Sequence, residues 1–310
     1  MGLVVVDPGL FTTVQDAGRL GYRRWGVPIG GAFDRRSAEL ANALVGNASA
    51  CAALELTLLG GTYRALGPLA MAFAGAPMEA KVIGANGEDR SLLLPLSFSL
   101  REGEQLVLGR TLSGARTYLA VRGGWQTPLR LGSRSTEERL RPGEVLPAEA
   151  GLIPTRHVPA EVAWKSPVDE PFQVLSGPDG RAIDAFDEAL CGGRRFQVGS
   201  KSNRMGSRLQ GDPVEVSSPP DRLSAPVAPG AIQVAGGQLI VLGVACGTMG
   251  GYPHVAQVIS TDLARLGQLC PGDSITFQAM TLEEARLADR DARAQHRALT
   301  QRLALVANGH

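Results

Sequence analysis

The chain has 310 residues, 44% of them apolar. This length is enough for two domains of about 150 residues or for one large domain, either with a sizeable core, and it argues against extended disorder. Lys and Arg number 31 against 30 Asp and Glu, so the net charge is only +1. This balance argues against a nucleic-acid-binding protein and against binding to a membrane surface. The 39 glycines and 20 prolines exceed the usual share, which predicts many turns between short strands.

Short apolar or alternating runs, each bounded by turn residues, recur along the whole chain. Runs of this length with turn residues at both ends are typical of the strands of a sandwich or barrel. The predicted strands are residues 3–6, 70–73, 91–96, 105–108, 117–121, 172–174, 213–216, 231–234, 239–244 and 274–277. The fold is therefore predicted to be mainly β.

Helical periodicity is confined to three places. Residues 34–45 have an apolar face and begin with Asp34, a residue type that caps helices. A second helix is predicted at about 254–268, where Val255, Val258 and further apolar residues recur every three or four positions. A third is predicted at 281–306, behind the capping box that Thr281 and Glu284 form.

A proline-rich and charged stretch at residues 154–171 divides the chain into two halves of roughly equal length. We therefore predict an N-terminal β domain at 1–155, a C-terminal β domain at 170–280 and a helical extension at 281–310. The four cysteines form no CxxC pair, which is typical of reduced thiols rather than of a disulfide or zinc site. Because no signal peptide, membrane span or lipidation motif is recognisable, we expect a cytoplasmic protein.

The glycine-rich stretch 247–254 follows an apolar strand and precedes the predicted second helix. Backbone N–H groups at such a strand-to-helix turn can hold an anionic substrate. Alternatively, Gly250 and Gly251 only let the chain turn, with Pro253 as the first helical residue. Both interpretations stay open on the sequence.

Three further places in the chain contain polar groups that are suited to a pocket. Residues 15–22 combine an amide, a carboxylate, a guanidinium and a phenol, although a solvated turn would use the same residues. Asp34 is a candidate catalytic carboxylate, but its position favours a helix cap. Ser133 and Ser135, with Arg134 between them, could bind phosphate, and a polar loop is the favoured alternative.

Several kinds of chemistry lack their signatures. No HExxH, GxSxG or Walker motif is present, which argues against a zinc site, a serine triad and a phosphate loop. What remains are arginines, amides and backbone donors, which could polarise a carbonyl or amide. Proton transfer could then come from Asp16, Asp34, Tyr22 or Tyr252.

A series of short motifs resembles one known family in order, from Thr13 to about Phe277. The motifs are residues 13–16, 18–19, 21–22, 31–34, 41–42, 45–47, 118–121, 123–124, 131–136, 204–206, 208–209, 229–233 and 250–253. Together they identify the chain as similar to the biotin-dependent carboxyltransferase family. This family is also called allophanate hydrolase subunit 2, and it includes the C component of 5-oxoprolinase.

The resemblance implies two tandem cyclophilin-like β-barrel domains and amide or lactam chemistry. It also implies partner chains, namely a kinase-inhibitor-like chain of the subunit 1 type, which is the B component of a 5-oxoprolinase, and the A component of that enzyme. In a 5-oxoprolinase ATP activates the lactam carbonyl of 5-oxo-L-proline and water opens the ring to L-glutamate. The alternatives are transfer of a carboxyl group from carboxybiotin to urea or a related amide, and a regulatory binding partner without catalysis. No metal is implied.

The resemblance also suggests a single pocket built from both halves of the chain. The expected catalytic residues are Asp16, Arg19, Asp34, Arg204 and Tyr252. The expected substrate-binding residues are Gln15, Tyr22, Gln233, Thr248, Gly250 and Gly251. Ala245 and Gly247 stand where the family usually has Asp and Gln, and Met249 replaces a threonine, so two polar groups of the family pattern are absent.

Overall fold

The structure is a computed structural model that describes residues 1–93, 95–158, 164–183, 186–217 and 222–309. The chain divides into two compact units, and neither unit is one continuous stretch. Unit 1 comprises Met1–Arg19, Asp34–Lys165 and Gln295–His310, and unit 2 comprises Leu20–Phe33 and Ser166–Ala294. The domain limits predicted from the sequence stay a prediction, and part of the predicted break lies outside the described residues.

Unit 1 is built from two antiparallel six-stranded sheets. Its strands are β1 (Gly2–Asp7), β2 (Phe11–Gln15), β3 (Ala53–Thr57), β4 (Thr62–Ala65), β5 (Leu69–Gly75), β6 (Met78–Ile83), β7 (Asp89–Leu92), β8 (Leu96–Leu100), β9 (Gln105–Thr111), β10 (Arg116–Val121), β11 (Val145–Pro147) and β12 (Arg156–His157). The sheet orders are β11-β1-β4-β9-β6-β7 and β12-β8-β5-β10-β3-β2. Large apolar side chains such as Trp125, Phe73 and Phe98 form one buried cluster in this unit.

Helix α1 (Arg35–Leu44) packs against β5 and β10. It begins directly after Asp34, as the sequence predicts, and its alanine- and leucine-rich face is buried. Because α1 lies against the second sheet, it fixes the position of the residues that precede it.

Unit 2 contains one eight-stranded sheet and a separate two-stranded ribbon. Its strands are β13 (Phe172–Ser176), β14 (Phe196–Val198), β15 (Gly206–Gln210), β16 (Ala225–Pro226), β17 (Ala231–Ala235), β18 (Gln238–Leu242), β19 (Met249–Gly250), β20 (His254–Val258), β21 (Ser274–Ile275) and β22 (Phe277–Ala279). The sheet order is β21-β14-β15-β18-β17-β20-β13-β22, and β16 pairs with β19 in the ribbon. A second apolar cluster, which includes Phe172, Phe196 and Phe277, fills this unit.

The remaining helices are short, apart from the last one. Helix α2 is the single turn Leu263–Leu266, and α3 runs over Leu282–Ala307. The capping box is present, since Glu284 Oε2 accepts from the Thr281 backbone at 2.8 Å and the Glu284 N–H donates to Thr281 Oγ1 at 3.3 Å. The prediction of a mainly β fold with barrel sheets, a few short helices and a C-terminal helix is confirmed.

The helix predicted at 254–268 is wrong. Residues 254–258 form β20, which pairs with β17 and β13, and only a 3-10 turn and α2 follow. Branched Val255 and Val258 favour a strand, and pairing on both sides outweighs their helical spacing. The predicted strand 213–216 is also absent, since this segment is irregular and tied to the sheet by a bond from Val214 N to Gly237 O.

The run predicted as one strand at 91–96 belongs to two. Strand β7 ends at Leu92 and β8 begins at Leu96, while residue 94 lies outside the described residues. Several strands with polar residues, β2 and β6 among them, are absent from the prediction because neither carries a long apolar run.

Candidate functional site

The predicted site residues fall into two sets. Unit 1 contains Gln15, Asp16, Arg19 and Asp34, and unit 2 contains the others, namely Tyr22, Arg204, Gln233, Thr248, Gly250, Gly251 and Tyr252. Each set is described within its own unit, and the single pocket built from both sets stays a prediction.

Asp16 follows β2 and accepts four hydrogen bonds. Its Oδ1 accepts from Ser133 Oγ at 2.6 Å, Ser135 Oγ at 2.6 Å and Gly18 N at 2.8 Å, and its Oδ2 accepts from Arg134 N at 2.6 Å. Burial acts to raise the pKa of Asp16, but these hydrogen bonds outweigh it and hold the pKa below its usual value. An ionised Asp16 therefore holds residues 16–18 and 133–135 together, and its catalytic role remains a prediction.

The loop around Ser133 and Ser135 uses its donors internally. Both hydroxyl groups donate to Asp16, and the Arg134 guanidinium donates to Thr127 O and to Gln126 Oε1, the latter at 2.9 Å. These contacts favour the polar-loop interpretation over phosphate binding. Arg19 is bound to the same loop, because its Nη2 donates to Ser135 O.

Gln15 is fully buried at the end of β2. Its Nε2 donates to Thr13 Oγ1 at 2.9 Å and to Thr136 O at 2.7 Å. Its Oε1 is buried and has no hydrogen-bond partner. The carboxamide is therefore fixed through its nitrogen, and its oxygen remains an open acceptor.

Asp34 has the contacts of a helix cap. Its Oδ1 accepts from Ser37 N at 3.0 Å and its Oδ2 accepts from Ser37 Oγ at 2.6 Å. The Asp34 N–H donates to Tyr118 Oη, which in turn donates to Glu55 at 2.7 Å. Burial raises the pKa of Tyr118 well above its usual value, so this phenol stays protonated. Buried Arg116 pairs with Glu55 at 3.3 Å and completes a network that no sequence motif predicts.

In unit 2, residues 247–252 form a strap that continues into a strand. Met249 and Gly250 pair with Pro226 and Ala225, and the chain then enters β20. The expected strand-to-helix turn is therefore wrong, and no helix N-terminus is available here for an anion. The strap instead lies over the sheet at β17.

Gln233 of β17 lies directly beneath this strap. Its side chain is 4% exposed, and its Nε2 donates to Tyr252 O at 3.1 Å. A Cβ at residue 250 would lie only 2.5 Å from Gln233 Nε2, so Gly250 permits the close approach. Within the described ranges, Gln233 Oε1 accepts no hydrogen bond. A planar amide can therefore be matched by this carboxamide, which offers one acceptor and one further N–H.

His254 stands opposite Gln233 in the pairing of β17 with β20. Its backbone N–H donates to Asp179 Oδ2 at 2.8 Å, and Asp179 forms a two-bond ion pair with Arg222 at 2.6 and 2.9 Å. The imidazole Nε2 is buried and has no partner. Burial lowers the pKa of His254, which keeps the ring neutral near pH 7. No spacing signal pointed to this group, because Asp179 and His254 lie 75 residues apart.

The other predicted residues of unit 2 differ in exposure. Tyr252 is 54% exposed, and Gly251 adjoins Ser224, whose Oγ would lie 3.5 Å from an added Cβ. Thr248 O accepts from Val227 N at 3.0 Å, which links the strap to the segment that follows β16. Tyr22 is partly buried beside Trp25, with ring centroids 5.4 Å apart.

Arg204 is buried and holds a loop of its own unit. Its Nη2 donates to Gly31 O at 2.7 Å. Among the residues described, no group of three His, Cys, Asp or Glu side chains could hold a metal ion. The same residues include no helix long and apolar enough to cross a bilayer.

Comparison with known proteins places this architecture. Residues 25–279 match the carboxyltransferase domain family, subdomains A and B. The C component of the Escherichia coli 5-oxoprolinase is 33% identical over 314 residues, which cover 97% of this chain and 98% of that protein. The urea amidolyase of Lachancea kluyveri is 31% identical over 322 residues, but these cover only 17% of that longer protein.

A solved structure agrees with the sequence relatives. The K. lactis urea amidolyase superposes with a TM-score of 0.83 at 28% identity, over 96% of this chain and 20% of that chain. The present chain thus spans about a fifth of the length of that protein. On the match over residues 25–279 and the full-length similarity to a 5-oxoprolinase C component, the chain belongs to the carboxyltransferase family of subdomains A and B.

Proposed function

We propose that this chain is the C component of an ATP-dependent 5-oxoprolinase, which opens 5-oxo-L-proline to L-glutamate together with partner chains. The observation that carries the proposal is the end-to-end match to a 5-oxoprolinase C component, over 97% of this chain and 98% of the relative. In the urea amidolyases, which are much longer proteins, the region that matches this chain is only a small part. The C component of a 5-oxoprolinase is therefore the better fit.

The site of unit 2 supports amide chemistry. A lactam ring presents one C=O and one N–H in a plane, and the Gln233 carboxamide offers the complementary N–H and C=O. Because Gln233 Nε2 is already held by Tyr252 O, the carboxamide is oriented before a substrate arrives. Donors fixed in this way stabilise the charge that develops on a carbonyl oxygen when it is attacked.

ATP is assigned to the partner chains in this proposal. Residues 199–202, with Lys201 and Ser202, form the turn between β14 and β15, and the Ser202 hydroxyl accepts from Arg208 N at 3.1 Å. This turn leads into a strand rather than a helix, so it does not fit a nucleotide phosphate loop. The partners are the A component and the kinase-inhibitor-like B component, and the complex is cytoplasmic.

The test is glutamate formation from 5-oxo-L-proline and ATP by the chain combined with its own A and B components. We expect glutamate and ADP to appear together, and omission of this chain to abolish glutamate. The variant Gln233→Ala should lower the rate, while Gln238→Ala, which alters an exposed glutamine of the neighbouring β18, serves as the matched control. No glutamate above the level made without this chain would contradict the proposal.

A second candidate function is transfer of a carboxyl group from carboxybiotin to urea or a related amide. It is favoured by the similarity to urea amidolyase, with a TM-score of 0.83. Carboxybiotin would supply the carboxyl group, and the Gln233 carboxamide also fits the planar urea-type ring of biotin. Loss of label from carboxylated biotin, accelerated by the wild-type chain but not by Gln233→Ala, would support this candidate over the first.

A further inference from the structure

Arg23 of unit 2 is attached to the same strap region as Gln233. It begins the 3-10 turn Arg23–Trp25, and its Nη2 donates to Val227 O. The N–H of Val227 donates in turn to Thr248 O at 3.0 Å. The Arg23 charge also acts on Cys246, two residues before Thr248, where it opposes the burial that raises the thiol pKa. The guanidinium therefore lies beside the beginning of the strap.

The Arg23 guanidinium is only partly satisfied. Its Nη1 is buried and has no hydrogen-bond partner, and among the described residues no carboxylate pairs with it. A buried cationic N–H without an acceptor is unfavourable. The adjacent Arg24 differs, because it is exposed and its guanidinium lies 4.0 Å from the centroid of the Trp25 ring.

Gly250 connects Arg23 to Gln233. A Cβ at this glycine would lie 3.0 Å from Val227 Cγ1 and 2.5 Å from Gln233 Nε2, so Val227 and Gln233 flank the same backbone position. Val227 is the residue whose carbonyl oxygen holds Arg23. The cationic Arg23, bound to Val227 O, and the Gln233 carboxamide, bound to Tyr252 O, thus both adjoin the β16–β19 ribbon.

We propose that Arg23 determines substrate specificity by binding a carboxylate through Nη1, while the planar amide of the same molecule is matched by Gln233. The substrate class is a small cyclic amide that carries a carboxylate group. This inference rests on the proposed function, and it adds a residue that selects lactams with a carboxylate group over lactams without one. Urea, which is uncharged and has no carboxylate, gains nothing from this arginine.

The experiment compares two lactams in the complete complex, 5-oxo-L-proline and 2-pyrrolidinone, which lacks the carboxylate. Arg23→Gln removes the charge but keeps an N–H group for Val227 O, and Arg24→Gln is the matched control on the neighbouring exposed arginine. We expect Arg23→Gln to lower kcat/KM for 5-oxo-L-proline about 10- to 100-fold, mainly through KM, because a charge-assisted hydrogen bond is lost. Turnover of 2-pyrrolidinone should be unchanged, and Arg23→Lys should restore part of the preference.

Equilibrium binding to the full chain alone, measured by ligand-observed NMR with the same two lactams, separates this inference from the proposed function. If the wild-type complex makes no glutamate, the proposed function fails. The inference is then supported if the wild-type chain prefers the acid and Arg23→Gln does not. If Arg23→Gln retains the wild-type preference for 5-oxo-L-proline, in turnover or in binding, the inference is overturned. An equal loss on both lactams also overturns it, since Arg23 would then act only on the fold.

Discussion

Replacement of Asp16 by asparagine tests whether this carboxylate holds two loops together. The change keeps the size of the side chain and replaces one acceptor oxygen by an NH2 group. If the remaining oxygen keeps the three bonds of Oδ1, the new NH2 group faces the Arg134 N–H, which loses its acceptor. In the opposite orientation, Gly18, Ser133 and Ser135 lose theirs.

The magnitude follows from the bonds lost. A hydrogen bond to a charged group contributes about 1.5–3 kcal/mol, and a donor left facing a donor adds a further penalty. We therefore expect Asp16→Asn to lower the free energy of unfolding of unit 1 by about 2–4 kcal/mol. Since the folded pKa of Asp16 is lowered from 3.8, this stabilisation is present above that pH and is lost as the pH falls through the folded pKa.

Urea unfolding at pH 7, combined with hydrogen exchange of the Arg134 and Gly18 amides, measures this effect. Both amides donate to Asp16 and should lose protection in the variant. Asp89→Asn is the control, because Asp89 is exposed and pairs with Lys81 only at 3.5 Å. Its effect should stay within about 0.5 kcal/mol. Unchanged stability and unchanged Arg134 protection in Asp16→Asn would refute the reasoning and leave Asp16 free for catalysis.

Three further predictions concern the helix cap, the buried imidazole and the strap. Asp34→Ala should lower the free energy of unfolding in urea by about 1 kcal/mol, and Asp34→Ser should lower it less because serine also caps helices. Equal decreases in the two variants would contradict the capping role of Asp34. The pKa of His254 in the folded protein lies below 6.5, so as the pH falls the imidazole is protonated in the unfolded chain before it is protonated in the folded one. The free energy of unfolding therefore decreases as the pH falls below 6.5. Between pH 7.5 and 5.5, the free energy of unfolding should decrease less in His254→Gln than in the wild-type chain. An equal decrease in both proteins would exclude His254 as its source. Gly250→Ala should break the hydrogen bond from Gln233 to the strap and lower the rate of glutamate formation. Gly247→Ala should leave this rate unchanged, because its added Cβ has no neighbour closer than 3.5 Å. Equal rates in the two variants would contradict the close approach of Gly250 to Gln233.

The parts of the fold that the sequence predicts are those with strong local signals. Asp34 and the capping box at Thr281 mark two helix beginnings, because side-chain caps depend on residues only three positions apart. At 254–268 the local signal predicts a helix, whereas long-range pairing determines a strand. There the local spacing fits a helix, but the pairing partners of β20 lie more than 20 residues away in β17 and about 80 away in β13.

The site is less predictable than the fold. Gln233 and the strap could be selected from motifs, since they lie within 20 residues of each other. Arg222, Asp179 and His254 are brought together only by the completed sheet, and each alone resembles an ordinary polar surface residue. For Arg23, the useful signal is the unpartnered Nη1, which exists only in three dimensions.

The division of unit 1 along the chain has a consequence for synthesis on the ribosome. Met1–Arg19 and Asp34–Lys165 form one compact unit with Gln295–His310, so this unit remains incomplete while about 130 intervening residues are translated. In the finished unit, Arg122 Nη2 donates to Ala307 O at 3.1 Å, a bond that no nascent chain shorter than 307 residues can make. During that interval unit 1 lacks its last helical segment. Truncation of the chain near residue 295 should therefore increase aggregation during expression rather than yield a smaller stable protein.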